Sequence, residues 1–490
     1  MIESPYRKFA KDIVIIGITN FLLALNVWVL LPLLTKTLGA SAYGIWSQVD
    51  VTFQLGISVV GLGLPFALSR FLAAGDGKEK LQDGFYSLLT VVALATIACS
   101  ILIIAFANYI ANTLFGGATG IVIITGIIIF VWSLDIMFLS FFRARRQMLN
   151  YGIFMVVSRC VETGIIAYLV LNGFGLVGAV LCLAGVRAVL LVVLFFFVKN
   201  QIGIKMPHFG NVKEYLNFSL PTIPGSIASW VSSSSDRYII GYFLGVASVG
   251  IYSAGYNLVS IILFLISVFG FVLPPTLSKL YDEGKMDELK NLLKYSLKYF
   301  LAITIPFTFG VSVLSEPILR IFSTPEIASQ SHIVVPLLAL SILLVGVFSI
   351  VYNTLILTMK TRTIGAICVM AAVVNIGLNI VLVPRLGIEG AALGSLLTFM
   401  LACGIGSYYS LKEIKFGIDW SFIGKSLFAS IIMIMAIFWF RYPTTILSTI
   451  VVILAGAVVY GVVVFVLKGF TKQEISFLKT MCYNRVKIKE

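Results

Sequence analysis

The sequence predicts an all-α polytopic membrane protein in which fourteen transmembrane helices form two six-helix lobes and a C-terminal helix pair. Of the 490 residues, 59% are hydrophobic and only 11% are charged. The apolar residues occur in runs of about 20, the length that crosses a bilayer as a helix. Several short phrases also recur a little more than 200 residues apart. This composition excludes an ordinary soluble protein.

Fourteen apolar runs, separated by short polar segments, define the predicted spans. The first is too long for a signal-peptide core and lacks a small-residue cleavage site, so we expect it to be retained. No loop is large enough to hold a soluble catalytic domain. In chain order the spans cover about 13–34, 44–72, 84–107, 118–141, 151–172, 175–198, 217–243, 250–276, 297–315, 331–358, 363–383, 389–411, 423–440 and 446–467.

The charge distribution predicts how the spans are oriented. Although the net charge is +14, most Lys and Arg residues fall on one side of the predicted membrane, as the positive-inside rule requires. We therefore expect a multi-pass protein of the cell membrane with both termini in the cytoplasm, and no nucleic-acid partner. The six cysteines have neither metal-ligand nor disulfide spacing, which favours no bound metal or cofactor. The inner segments hold Arg7, Lys8, Lys11, Lys78, Lys80, Arg143, Arg145, Arg146, five Lys between 279 and 298, and the tail from Lys468.

An internal duplication is indicated by matching phrases that keep their order. It predicts an N-lobe at 1–205, a C-lobe at 206–415, and a final helix pair with a basic tail at 416–490. Because six spans return the chain to its starting side, both lobes should have the same orientation, which is a plan of alternating-access transporters. The matches are LGASAYGIW (38–46) with LGVASVGIY (244–252), LPFALSRFL (64–72) with LPPTLSKLY (273–281), DGK (76–78) with EGK (283–285), and GLVGA (175–179) with GIEGA (387–391). Alternatively, the phrases are alike only because short turns need glycine.

Three segments resemble the polysaccharide-transporter, or Wzx-type flippase, family of the multidrug, oligosaccharidyl-lipid and polysaccharide exporter superfamily. They are TKTLGASAYGIW, the continuous segment SLPTIPGSIASWVSSSSDRYIIGYFLGVASVGIYSAGYNL at 219–258, and VLVPRLGIEGAALGSLL. The resemblance implies two lobes around a central cavity. It also implies transfer of a polyprenyl-diphosphate-linked oligosaccharide from the inner to the outer leaflet, for polysaccharide or O-antigen export. Its implied partners are that substrate, membrane lipids and polysaccharide-assembly proteins.

Two rival transporters share this architecture, and an enzyme is a third alternative. A cation-coupled multidrug exporter would need a carboxylate in the N-lobe cavity, where Asp50 or Asp135 could serve. A lipid-linked peptidoglycan precursor flippase would also have fourteen helices. An enzyme is disfavoured because the outer loops are short and no nucleophile, metal cluster or phosphate loop is present.

Charged residues inside predicted spans are the main candidates for function, since a charge in the bilayer is costly. Counting residues from each turn between neighbouring spans gives their depth in the membrane. It places four residues at similar depth in the N-lobe, namely Asp135, Arg159, Glu162 and Arg187. Arg159 and Glu162 are also one helical turn apart. Either arginine could present its guanidinium group to a diphosphate. Alternatively, the four charges could form a neutral network that only holds the lobe together.

Polar residues of the first and seventh spans are candidate sugar contacts. Ser233 belongs to a serine-rich stretch that could line the cavity or pack against neighbouring helices. Asn26 could contact sugar or form an interhelical hydrogen bond.

An outer gate is predicted from three charges at matching depth. Asp50 lies about seven residues from the outer end of span 2, and Asp236 and Arg237 lie equally far from the outer end of span 7. Because adjacent helical residues point about 100° apart, we expect Arg237 to pair with Asp50 across the closed cleft and not with Asp236. Alternatively, Arg237 reaches the lipid headgroups and Asp236 bonds within its own lobe.

Overall fold

The computed structural model describes residues 5–71, 77–439, 445–470 and 474, and every regular element in these ranges is helical. The first half contains α1 (Pro5–Val60), α2 (Leu64–Phe71), α3 (Lys78–Ala105), α4 (Ala107–Leu114), α5 (Thr119–Ala144), α6 (Met148–Leu171), α7 (Gly175–Ile202) and α8 (Val212–Ser219). The second half contains α9 (Ile223–Leu244), α10 (Val246–Val259), α11 (Ile261–Asp282), α12 (Met286–Phe322), α13 (Pro325–Ser331), α14 (Val335–Val351), α15 (Asn353–Leu357), α16 (Thr361–Glu413), α17 (Trp420–Trp439) and α18 (Ile446–Val466).

Within the described ranges, eleven helices are long and apolar enough to cross a membrane. The predicted all-α, multi-pass membrane architecture is therefore confirmed. Two of the eleven, in α1 and α16, are long enough for two crossings at 47 and 53 residues, and each contains a non-helical glycine, Gly39 or Gly387. The eleven do not include α9, because its serines, Asp236 and Arg237 make it less apolar. The count of fourteen crossings stays a prediction.

The glycines of the recurring phrases adopt matching backbone conformations. Gly39 has φ 79° and ψ −178°, and Gly245 in the second copy has φ 81° and ψ 171°. Gly175 and Gly387, which open the phrases GLVGA and GIEGA, have φ 63° and φ 64°. Such φ values favour glycine because a side chain would be strained there. The phrases therefore recur at the same kind of helix junction, and we call this end of the molecule the Gly-turn side.

The two copies of the first phrase pack directly against each other. A Cβ atom at Gly44 would lie 1.7 Å from the carbonyl oxygen of Val246, and one at Gly250 would lie 2.1 Å from that of Ala40. The two contacts are reciprocal, since both pairs of equivalent positions are 206 residues apart, as expected around a two-fold axis. The glycines are thus required for the close approach of the two halves.

Hydrogen bonds extend this contact away from the glycines. The hydroxyl oxygens of Ser47 and Ser253, which are equivalent positions of the phrase, lie 2.7 Å apart. Other bonds between α1 and the α9–α10 pair are Gln48 Nε2 to Arg237 O (3.0 Å), Trp230 Nε1 to Val51 O (3.1 Å), Thr52 Oγ1 to Tyr238 Oη (2.7 Å) and Asn257 Nδ2 to Tyr43 Oη (2.6 Å). The halves are therefore closed against each other on the Gly-turn side.

The last two helices are attached to the second half through α12. Helices α17 and α18 pack on each other and on α12. The buried ammonium group of Lys298 in α12 lies 3.3 Å from the carboxylate of Asp419 and 3.0 Å from that of Glu474. The rest of the predicted basic tail, the first four residues, residues 72–76 at the end of predicted span 2, and residues 440–444 with most of the predicted outer loop lie outside the described residues.

Candidate functional site

A buried glutamate organises the charges of the first half. One carboxylate oxygen of Glu162 accepts a hydrogen bond from Arg159 Nη1 at 3.0 Å, and the other accepts one from Arg187 Nη2 at 3.0 Å. Helices α6 and α7 position the three residues, and Arg159 and Glu162 are one turn apart on α6. We call Arg159, Glu162 and Arg187 the arginine cluster. Two cations share one anion, so these three residues together carry a surplus positive charge.

An aromatic ring completes the arginine cluster. The guanidinium carbon of Arg187 lies 3.7 Å from the ring centroid of Trp132 on α5, and that of Arg159 lies 5.8 Å away. The same ring stacks on Phe53 of α1 at 4.2 Å. Cation–π contacts between a guanidinium group and tryptophan are favourable, most of all where water is excluded. The Trp132 and Phe53 rings therefore connect the cluster to the helix that carries Asp50.

Accessibility separates the roles of the two arginines. Glu162 is fully buried and the Arg187 side chain is 2% exposed, whereas the Arg159 side chain is 28% exposed. The sequence left open which arginine could present a cation to a ligand. In the structure, Arg159 can reach an incoming anion, while Arg187 fixes the position of Glu162.

Asp135 lies beside the arginine cluster without joining its hydrogen bonds. It is fully buried, and neither carboxylate oxygen has a hydrogen-bond partner. It interacts electrostatically with Arg187 and Glu162. The predicted meeting of four charges is therefore correct in depth, but only three residues bond. Counting residues from a turn gives the position of a side chain along the helix axis, but it does not give the direction in which that side chain points around the axis.

The two polar candidates lie in different places. Asn26 donates a hydrogen bond to the Thr163 hydroxyl, which itself donates to the carbonyl oxygen of Arg159 at 2.8 Å. Of the two roles predicted for Asn26, the structure thus shows the interhelical hydrogen bond, which lies next to the arginine cluster. Ser233 lies on α9, where its hydroxyl donates to the carbonyl oxygens of Ser229 and Trp230. The structure does not bring Ser233 to the arginine cluster.

The predicted gate residues are arranged differently from the expectation. Arg237 Nη1 lies 3.5 Å from the Asp236 carboxylate, which also accepts a hydrogen bond from the Tyr252 hydroxyl. The prediction that Asp236 and Arg237 do not pair is wrong. The arginine side chain is long enough to bend back towards Asp236, although the two side chains leave the helix about 100° apart. Asp50 instead accepts a hydrogen bond from Gln54 at 2.7 Å. No ion pair within 4 Å joins Asp50 to Arg237.

Asp50 nevertheless lies between two groups of charges. Its exposed carboxylate interacts electrostatically with Arg237 in the second half and with Arg159 and Glu162 in the first. It therefore faces the space between the halves, and a gate based on its long-range attraction to Arg237 stays a prediction.

We expect Asp236→Asn to lower the free energy of unfolding by about 2 kcal/mol, because it removes a buried charge-assisted pair. Asp50→Asn is the matched control and should cost less than about 1 kcal/mol, since Asp50 is exposed and bonds only Gln54. Unfolding of the purified proteins in one detergent measures both. Equal stability of the two variants would contradict the assignment of Asp236 as the partner of Arg237.

Sequence reasoning missed the aromatic part of the site. Trp132 and Phe53 are not charged, and an aromatic residue in an apolar run resembles any other core residue. The available signal was the position of Trp132 one turn before Asp135 on the same helix. Among the described residues, no group of three or more His, Cys, Asp or Glu side chains is placed to hold a metal ion.

Solved structures with the same fold identify the class of protein. The lipid II flippase MurJ in an inward closed conformation superposes with a TM-score of 0.73 at 19% identity, covering 93% of this chain and 99% of that one. An inward-facing multidrug resistance MATE family transporter of the MOP superfamily gives a TM-score of 0.65 at 15% identity, covering 80% of this chain and 93% of that one. The chain is thus a polytopic membrane protein with the fold of that superfamily.

Within this class, the chain belongs to the polysaccharide biosynthesis protein family, whose model matches residues 9–281. The MatE family model matches residues 221–381. The predicted resemblance is therefore confirmed.

Two relatives of this chain come from Haloferax volcanii. The probable low-salt glycan biosynthesis flippase Agl15 is 25% identical over 243 residues, which are 50% of this chain and 51% of that protein. The probable flippase AglR is 27% identical over 258 residues, which are 51% of this chain and 52% of that protein. The chain thus spans about half the length of these curated relatives.

Proposed function

We propose that the protein is a flippase that moves polyprenyl-diphosphate-linked oligosaccharide from the inner to the outer leaflet of the cell membrane by alternating access. The observation that carries the proposal is the arginine cluster, which holds a partly exposed guanidinium group of Arg159 on a helix long and apolar enough to cross a membrane. The family match and the flippase names of the relatives support the same activity.

The chemistry of the cluster suits a diphosphate. Charges inside the membrane are costly and usually serve a function. The three bonded residues hold two cations and one anion, while Asp135 lies beside them outside their hydrogen bonds. A guanidinium group binds phosphate oxygens through two parallel hydrogen bonds, provided that its orientation is fixed. Glu162 fixes one end of Arg159, and Arg187 with Trp132 holds Glu162 in place. We therefore assign diphosphate binding to Arg159 and positioning to Glu162 and Arg187.

We assign the polyprenyl chain to an apolar groove of about 610 Å³ between the core and the last two helices. Trp28 of α1 and Leu258 of α10 border it on one side, and Ile437 of α17 and Ile453 of α18 on the other. A hydrocarbon chain needs only apolar contact of this kind. The assignment gives α17 and α18 a role in binding the lipid.

The transport mechanism that we propose rests on two lobes, 1–205 and 206–415, with 416–490 added and fourteen crossings in all. The matching glycine conformations and the reciprocal Gly44 and Gly250 contacts support two equivalent halves. Since these contacts close the Gly-turn side, alternating access requires them to separate when that side opens. We assign the Gly-turn side to the outer face, because the basic segments lie on the opposite side.

We expect Arg159→Ala to reduce transport of the glycan lipid about 10- to 100-fold, because one or two charge-assisted hydrogen bonds to phosphate are lost. Restoration of O-antigen export in a bacterial strain without its own flippase is the measurement, at equal protein level in the membrane. Arg320→Ala is the matched control, since Arg320 is exposed and pairs with Glu316 on the surface. Wild-type export by Arg159→Ala would contradict the proposed role.

A cation-coupled multidrug exporter is the second candidate, and Asp135 is the observation that favours it. A fully buried carboxyl group with no hydrogen-bond partner could take up and release a cation. The drug exporter is favoured if the wild type exports drugs, Asp135→Asn abolishes that export, and the wild type exports no glycan. If the protein instead rescues a bacterial strain depleted of its peptidoglycan precursor flippase, the lipid-linked peptidoglycan precursor is the substrate.

A further inference from the structure

The second half contains a cavity of about 200 Å³ that is separate from the arginine cluster. It lies among α9, α10, α11, α14 and α16. Aromatic rings of Tyr256, Phe348 and Phe399 form part of its wall. Pockets for drug-sized ligands are larger, roughly 300–1,000 Å³. The cavity therefore suits one small unit of a larger ligand.

One face of α9 presents polar groups to this cavity. Ser229, Ser232, Ser233 and Asp236 all line it, and their spacing of three and four residues places them on the same side of the helix. Ser229 and Ser233 are exposed, so the cavity is open to a ligand.

Three hydroxyl groups in the cavity have no hydrogen-bond partner in the described protein. They belong to Ser229, Ser232 and Ser395. Ser395 is only 5% exposed, and its residue lines the cavity from α16. Their hydroxyl oxygens keep access to the cavity, so a ligand there can make hydrogen bonds that the protein leaves open. These three serines therefore provide donors and acceptors for a ligand with hydroxyl groups of its own.

The charges around the cavity disfavour an anion. Asp236 is the acidic residue that lines it, and its carboxylate is held by Arg237 and Tyr252. The guanidinium group of Arg237 is covered by the ring of Tyr256 at 4.2 Å, so no free cation faces the cavity from that side. A neutral ligand with hydroxyl groups and apolar ring faces is complementary to this surface, and a diphosphate is not.

We propose that this cavity binds a sugar unit of the glycan, while the arginine cluster binds the diphosphate. The inference rests on the proposed function and adds the place where the glycan is recognised. In this arrangement the two halves hold chemically different parts of one substrate. Affinity for the sugar therefore depends on Ser229, Ser232 and Ser395, and affinity for the lipid diphosphate does not.

The test compares two lipids on the purified full chain in lipid nanodiscs. One is polyprenyl diphosphate, and the other is the same lipid carrying glucose, galactose or N-acetylglucosamine. The wild type should bind at least one sugar-bearing lipid about tenfold or more tightly than the bare lipid, as three added hydrogen bonds allow. The triple variant Ser229→Ala, Ser232→Ala, Ser395→Ala should lose most of that gain and keep its affinity for the bare lipid.

The matched control is the triple variant Ser248→Ala, Ser260→Ala, Ser267→Ala, whose hydroxyls donate to backbone carbonyl oxygens three or four residues earlier, outside the cavity. It should bind both lipids like the wild type. Persistence of the sugar-dependent gain in the cavity variant, equal weakening for both lipids, or no gain in the wild type overturns the sugar site. If the bare lipid still binds and depends on Arg159, the proposed function stands without it. If the wild type binds neither lipid, both proposals fail.

Discussion

Arg187→Ala is expected to lower the free energy of unfolding by about 3 kcal/mol and to reduce transport to background. Arg187 is 2% exposed, donates to Glu162 at 3.0 Å and lies against the ring of Trp132. Its removal leaves the buried Glu162 with Arg159 alone, and loss of one partner from a buried ion pair costs about 3–5 kcal/mol. Arg159 then loses its fixed orientation as well. Unfolding in detergent and the protein level in the membrane measure the effect.

The matched control for this prediction is Arg159→Ala, which removes the other partner of the same glutamate. Because the Arg159 side chain is partly exposed, its loss should destabilise the fold by about 1 kcal/mol while transport still falls. A stable but inactive Arg187→Ala protein would contradict the structural contribution of Arg187 and leave only its positioning of Glu162 and Arg159. An unchanged, active variant would contradict both roles.

Gly44→Ala is expected to prevent the two halves from closing on the Gly-turn side. The new Cβ atom would lie 1.7 Å from the carbonyl oxygen of Val246, which is backbone and cannot rotate away. The protein should still reach the membrane, since the helices can fold with this side open, but transport should fall at least about tenfold because one state of the cycle is lost.

Cross-linking measures this closure directly. Ser47→Cys and Ser253→Cys, introduced together after replacement of the native cysteines, should form a disulfide, because the serine hydroxyls are 2.7 Å apart. Adding Gly44→Ala should strongly reduce the cross-linked fraction. Gly270→Ala is the control, since nothing lies within 4 Å of its added Cβ atom. Efficient cross-linking and transport in the Gly44→Ala protein would contradict the closure mechanism.

The sequence by itself determined the membrane architecture and the family of this protein. Hydrocarbon forces the backbone to satisfy its own hydrogen bonds, so a span is visible as an apolar run of sufficient length. The glycines at 39 and 245 were equally visible, because only glycine is favoured at their φ values. The arginine cluster was also predictable in part, since charges in a span are few and helical rise gives their depth.

Only the tertiary structure decided which of these charges meet and which of them reach a ligand. The partners of Asp135 and Arg237 depend on the rotation of each helix about its axis and on the rotamer of a long side chain, neither of which leaves a pattern in the sequence. Burial of Arg187 and exposure of Arg159 arise where three helices converge. The contact between Gly44 and Gly250 joins segments about 200 residues apart, and packing at that distance depends on the whole fold.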